Sequence, residues 1–95
     1  MDDFTNYWKF SGEIFYLREQ QGEFGASMKL RGISQRKDAQ STQITEITCL
    51  MLQPLYEELL KQGYKTYSKI CLSGHIESWI KSDKMKVMLI ADNIE

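Results

Sequence analysis

Residues 69–95, KICLSGHIESWIKSDKMKVMLIADNIE, decide the fold. Two apolar runs flank a short, polar, basic connection. In the first, Ile70, Leu72, Gly74 and Ile76 share one parity, and Cys71, Ser73, His75, Glu77 and Trp79 share the other. In the second, Val87, Leu89 and Ala91 fall on one face. A period of two marks a half-buried strand. The link Lys81-Ser82-Asp83-Lys84 is made of turn formers. The pattern predicts a hairpin with a buried face, a wetter face and a cationic tip. Such a hairpin needs partner strands, and the upstream residues supply them.

Tyr7–Leu17 alternates, with Trp8, Phe10, Gly12 and Ile14 on one parity and Lys9, Ser11 and Glu13 on the other. Gly12 inside that pattern predicts a bulge or sharp bend, as barrel closure requires. A polar stretch ending at Gly22 reads as a turn. Phe24–Ser34 is a second strand, with Ala26, Met28, Leu30 and Gly32 on one face and Ser27, Lys29, Arg31 and Ile33 on the other. Residues 34–42, SQRKDAQST, lack apolar periodicity and read as a loop. Thr45–Leu52 is a third strand, apolar on both faces at its end, which places it centrally. Pro54 then opens a helix of about ten residues, a common helix length. Leu55, Leu59 and Leu60 have helical spacing, Glu57 and Glu58 lie early, Lys61 lies late, and Gly63 supplies a left-handed stop. Three strands, a helix and two strands is the order of an OB-fold. The expectation is an all-β, five-stranded Greek-key barrel with one short α-helix between strands 3 and 4.

A chain of 95 residues accommodates one such domain, spanning 1–95. Its 42% hydrophobic and 26% charged content is that of a soluble globular protein. No apolar run approaches the ~20 residues of a membrane helix. The acidic, aromatic start MDDFTNYWKF is unlike a secretory or transit signal. Cys49 and Cys71 form neither a disulfide framework nor a metal-ligand spacing, so they read as reduced thiols of a cytoplasmic protein. The net charge of −1 conceals an uneven layout: residues 24–45 hold four cations against one acid, and residues 61–86 hold six lysines against two acids. If these segments fold together they form a polyanion groove.

Four stretches of the chain resemble the bacterial single-stranded-DNA-binding proteins and the related small primosomal proteins of PriB type. Phe10-Ser11-Gly12-Glu13-Ile14 is similar to the family's first strand, and Gly25–Arg31 to its second. Thr45-Glu46-Ile47, the apolar run after it and the helix ending Leu59-Leu60-Lys61-Gln62-Gly63 resemble its strand–helix passage. Ile70–Ile76 with Leu89-Ile90-Ala91-Asp92-Asn93-Ile94 resembles its closing hairpin. The resemblance implies binding of single-stranded DNA by a homo-oligomer, a dimer or else a tetramer, near replication or primosome proteins. The chain also departs from the pattern. Ile47 and Gln53 stand where aromatic residues are expected, Trp79 lies slightly early, and no glycine-rich linker or acidic tip follows Glu95. That departure favours a small accessory or mobile-element variant.

A single strand offers phosphates and unstacked bases, so its binder needs cations and exposed rings. Trp79 is the candidate stacking residue. Lys81, Lys84 and Lys86 are candidate phosphate grips on the hairpin, and Lys29, Arg31, Arg36 and Lys37 on strand two and its loop. Of Phe15 and Tyr16, one can stack while the other belongs to the core. Trp8 and Phe10 read as core, and Tyr64 and Tyr67 as packing residues. His75 is the only histidine and has no partner at zinc spacing, so no metal or other cofactor is expected. No serine elbow, phosphate loop or catalytic carboxylate pair is present in the sequence, and the expected function is non-enzymatic. The rival expectation is an OB-fold that binds a protein through its sheet face or Trp79. RNA binding of the cold-shock type has no aromatic-rich run to support it.

Overall fold

The computed structural model describes residues 5–34 and 42–95. The elements follow the expected order: β1 (Trp8–Glu19), β2 (Phe24–Ser34), β3 (Gln43–Leu52), α1 (Gln53–Lys61), β4 (Lys69–Lys81) and β5 (Lys84–Ile94). The strands close a barrel in the order β1-β2-β3-β5-β4. This is the five-stranded OB-fold, with its helix between β3 and β4.

Closure depends on β1 changing partner. Trp8–Glu13 pairs with β4, and Glu13–Glu19 pairs with β2. Gly12 sits at the changeover, where an added Cβ would lie 2.6 Å from the Arg31 carbonyl oxygen. Of the bulge or sharp bend predicted at Gly12, the bulge lies instead between Ile14 and Tyr16. The helix closes one end of the barrel with Tyr56 and Leu59 buried, while Leu60 is exposed. Its stop is a Schellman motif: Gly63 is left-handed at φ 85°, its N–H donates to the Leu60 carbonyl, and Tyr64 N–H donates to the Leu59 carbonyl. The helix starts at Gln53, so Glu57 and Glu58 lie beyond its first turn. Only Lys61 is placed to meet the helix dipole.

The core joins Ile14, Met28, Leu30, Cys49, Met51, Leu59, Ile70 and Leu72, with Trp8 and Phe10 packed against it. Burial pushes the Cys49 thiol up to about 12. The hairpin's buried face is shorter than its alternation predicted. β1 ends on β4 at Trp8 opposite Gly74, and β3 meets β5 only along Cys49–Met51. Beyond those points, among the described residues, the only strand pairing of β4 and β5 is with each other, and they leave the barrel as an arm. The base of the arm is tied at Ile76 by Asn6, which donates from Nδ2 to the Ile76 carbonyl and accepts from its N–H at Oδ1. Ile76, Ile80, Met85 and Val87 therefore remain exposed on the face that lower down lines the core.

Candidate nucleic-acid interface

The arm presents two unlike faces. Residues opposite each other on paired strands share a face. Trp79 lies opposite Lys86, and Lys81 lies opposite Lys84. Ser82 and Asp83, at φ 53° and 61°, form the two-residue turn between them, and two positive φ values in succession match the twist of a hairpin. One face thus carries an indole, 41% exposed, with three exposed lysines around it. The other face carries Ile76–Leu89, Ser78–Val87 and Ile80–Met85, with no charge.

At the root of the arm, on the Trp79 side, His75 bridges two carboxylates. Its Nδ1 lies 2.6 Å from Asp92 Oδ2, and its Nε2 lies 2.6 Å from Glu77 Oε2. A neutral imidazole has one N–H, so both contacts can be hydrogen bonds only when the ring is protonated. The hydrogen bonds to Asp92, then to Glu77, hold its pKa above the ordinary 6.5. Asp92 reaches the ring because β5 carries a bulge there: Ser73 faces Asn93, Gly74 faces Ala91, and Asp92 is unpaired between them. A raised folded-state pKa contributes stability that is fully present below 6.5 and is lost as pH rises through the folded value. His75→Gln should therefore lower the melting temperature at about pH 6, and the difference from wild type should shrink steadily as the pH is raised through the folded value. Parallel melting curves across that range would show that the bridge carries no charge.

A second group of cations lies on β2. Lys29 faces Tyr16 on β1 and Thr48 on β3, and Arg31 faces Glu13 and Glu46. Both point outward, since Met28 and Leu30 between and beside them are fully buried. Arg31 Nη2 donates to Glu46 Oε1 at 3.1 Å, and its guanidinium lies 4.4 Å from the Phe15 ring centre. Lys29 Nζ lies 5.6 Å from the centre of the Tyr16 ring. The structure thus gathers Trp79, Lys81, Lys84 and Lys86 on one hairpin, and Lys29 and Arg31 on another. Arg36 and Lys37 lie outside the described residues. A hollow of 680 Å³ is lined by Ser11, Gly12, Arg31, Gly32, Tyr64 and Cys71, and neither Trp79 nor the arm lysines reach it.

Two features were not foreseen from the sequence. The His75 bridge joins residues 17 apart through a bulge. The exposed ion pair of Arg31 with Glu46 follows from cross-strand register alone, and the sequence could have yielded it once β2 and β3 were aligned.

No protein-family model matches the chain, and no curated protein matches it in sequence. Solved structures do match its fold. A small single-stranded DNA binding protein from Mycoplasma pneumoniae superposes with a TM-score of 0.70 at 18% identity, covering 97% of this chain and 93% of that one. The SSB of Plasmodium falciparum, in complex with ssDNA, gives 0.63 at 11% identity, covering 95% and 88%. The dimeric N-terminal domain of the PriB protein from Thermoanaerobacter tencongensis gives 0.56 at 16% identity, covering 95% and 93%. The chain is similar to these in fold along almost its whole length.

Proposed function

We propose that this chain binds single-stranded DNA through backbone charge and limited stacking, with little sequence preference and no catalytic step. The observation that carries the reading is the charged face of the arm, where an indole 41% exposed shares one surface with Lys81, Lys84 and Lys86. An exposed ring among cations suits a ligand that alternates bases and phosphates. The fold's similarity to single-stranded-DNA-binding structures supports the same assignment. The protein acts as a homodimer in the cytoplasm, in replication, primosome restart or maintenance of a plasmid or phage. The dimeric PriB domain supports the pairing, and among the described residues no helix is long and apolar enough to cross a membrane.

Titration with oligo-dT, followed by tryptophan fluorescence, tests this. Trp8 serves as an internal reference, because its Nε1 donates to the carbonyls of His75 and Ile90 from a part-buried position. Wild-type emission should be quenched on binding. Trp79→Ala should bind roughly 5- to 150-fold more weakly, the worth of one stacked base, and its remaining emission should not respond. Equal affinity for duplex and single strand would remove stacking from the account.

The second reading, a protein-binding module, is favoured by one feature: the uncovered aliphatic face of the arm. Salt separates the two, since counterion release weakens strand binding steeply and an apolar contact does not depend on it.

A further inference from the structure

Consecutive residues of a regular strand point to opposite faces. Phe15 and Tyr16 break that rule. The register shift leaves Phe15 without a partner, Ile14 facing Leu30 and Tyr16 facing Lys29. Phe15 lies against Arg31 and Tyr16 beside Lys29, and those two cations share the outer face of β2. Both rings are therefore on the outside of the barrel, and neither belongs to the core cluster. The expectation that one of the pair packs inward is corrected by the bulge, which re-aims a side chain by adding one residue to one strand.

The surroundings of the rings are built from charge. After the bulge the alternation resumes, with Leu17 packed against the core and Arg18 outward, opposite Ser27. Tyr16, 45% exposed, thus has Arg18 two residues along its own strand and Lys29 across from it. Among the described residues, the acids that the register places on this face are Glu13 and Glu46, both opposite Arg31. Arg31 contacts Glu46 and lies over the Phe15 ring, an exposed cation–ring stack on the same face. Lys29 has no carboxylate partner among the described residues. An open ring beside two cations, next to that cation–ring stack, offers a base its π-face and a phosphate its counter-charge.

We propose that Tyr16, with Lys29 and Arg18, is a second base-stacking station for single-stranded nucleic acid, separate from the Trp79 arm. The identity of the ligand rests on the function proposed above; the position of the station rests on the bulge. Because β3 pairs with β2 on one side and β5 on the other, a strand crossing β3 would run from one station to the other.

The test uses the full chain, oligo-dT of roughly 15 nucleotides, long enough for one barrel's site, and a fragment of roughly 3 nucleotides. Tyr16→Thr keeps a strand-forming residue and removes the ring, while Tyr16→Phe keeps the ring. Tyr16→Thr should weaken the longer oligonucleotide roughly 5- to 150-fold, with Trp79 quenching at saturation unchanged and binding of the short fragment at Trp79 unaffected. Tyr16→Phe should bind as wild type. Wild-type affinity of Tyr16→Thr beside a defect in Trp79→Ala overturns the station and leaves the function standing. An equal loss in Tyr16→Phe also overturns it, because the ring would then not be the determinant. Absence of any binding by wild type overturns both readings. Should Tyr16→Thr fail to fold, photo-crosslinking of the unmutated protein to an oligonucleotide carrying 5-iododeoxyuridine decides the matter. Adducts should map to Tyr16 as well as Trp79, and adducts at Trp79 alone overturn the station.

Discussion

Gly74→Val should abolish folding. Gly74 lies where β4 is held on both edges, opposite Trp8 on β1 and Ala91 on β5. An added Cβ would overlap the Ile90 carbonyl oxygen and lie 2.8 Å from its carbon and 3.0 Å from the Ala91 Cα. All three atoms are backbone, so no rotamer change relieves the clash. The strands would have to separate at the point where the arm leaves the barrel. Losses above about 4 kcal/mol are rare for single substitutions and belong to sites of this kind. Against a total stability of about 5–15 kcal/mol, a loss of that size leaves little folded protein. Gly63→Ala is the contrasting control: nothing lies within 4 Å of its Cβ, and only the left-handed φ of 85° opposes it, at about 1–2 kcal/mol. Near-UV circular dichroism and urea titration distinguish them. A native spectrum for Gly74→Val would show that β4 and β5 are further apart than the structure places them.

Replacing Lys81, Lys84 and Lys86 together by glutamine should change the salt dependence of strand binding more than any other property. Each cation that meets a phosphate contributes about −0.7 to the slope of log affinity against log salt for a single strand. Three such contacts contribute about −2. A fourfold rise in salt would then cost wild type roughly 20-fold more affinity than the variant. The fold should be unaffected, since all three side chains are exposed beside a two-residue turn. Fluorescence anisotropy at about 50 and 200 mM salt gives both slopes. Identical slopes would mean that the arm does not meet phosphate, and would favour the protein-binding reading.

Alternation in residues 69–95 and in the three upstream strands, with proline at the helix start and glycine after its end, was enough to read the barrel. Each is a local signal that depends on few neighbours. What could not be read depends on partners distant in the chain. A glycine marks where a strand can bend, but the bulge went to Phe15, because it is the register against Met28–Arg31 that leaves a residue over. Asp92 reaches His75 only because a bulge on the other strand of the hairpin leaves it unpaired. The apolar parity of the arm was correct as a pattern and incomplete as a statement of burial. Ile76 and Ile80 continue the line of Ile70 and Leu72 past the last residues of β1 that could cover them. Among the candidate cations, Lys29 and the three arm lysines are exposed, while Arg31 is shared between a carboxylate and a ring.

The unlike sides of the arm give an experimenter two handles one residue apart. From position 75 outward, odd-numbered sites on β4 address the ionic surface and even-numbered sites the greasy one, through the same stretch of backbone. A probe moved from 79 to 80 changes the chemistry it reports on while its distance from the barrel hardly alters. Whatever settles on this ribbon can thus be assigned to a side by stepping along a single strand.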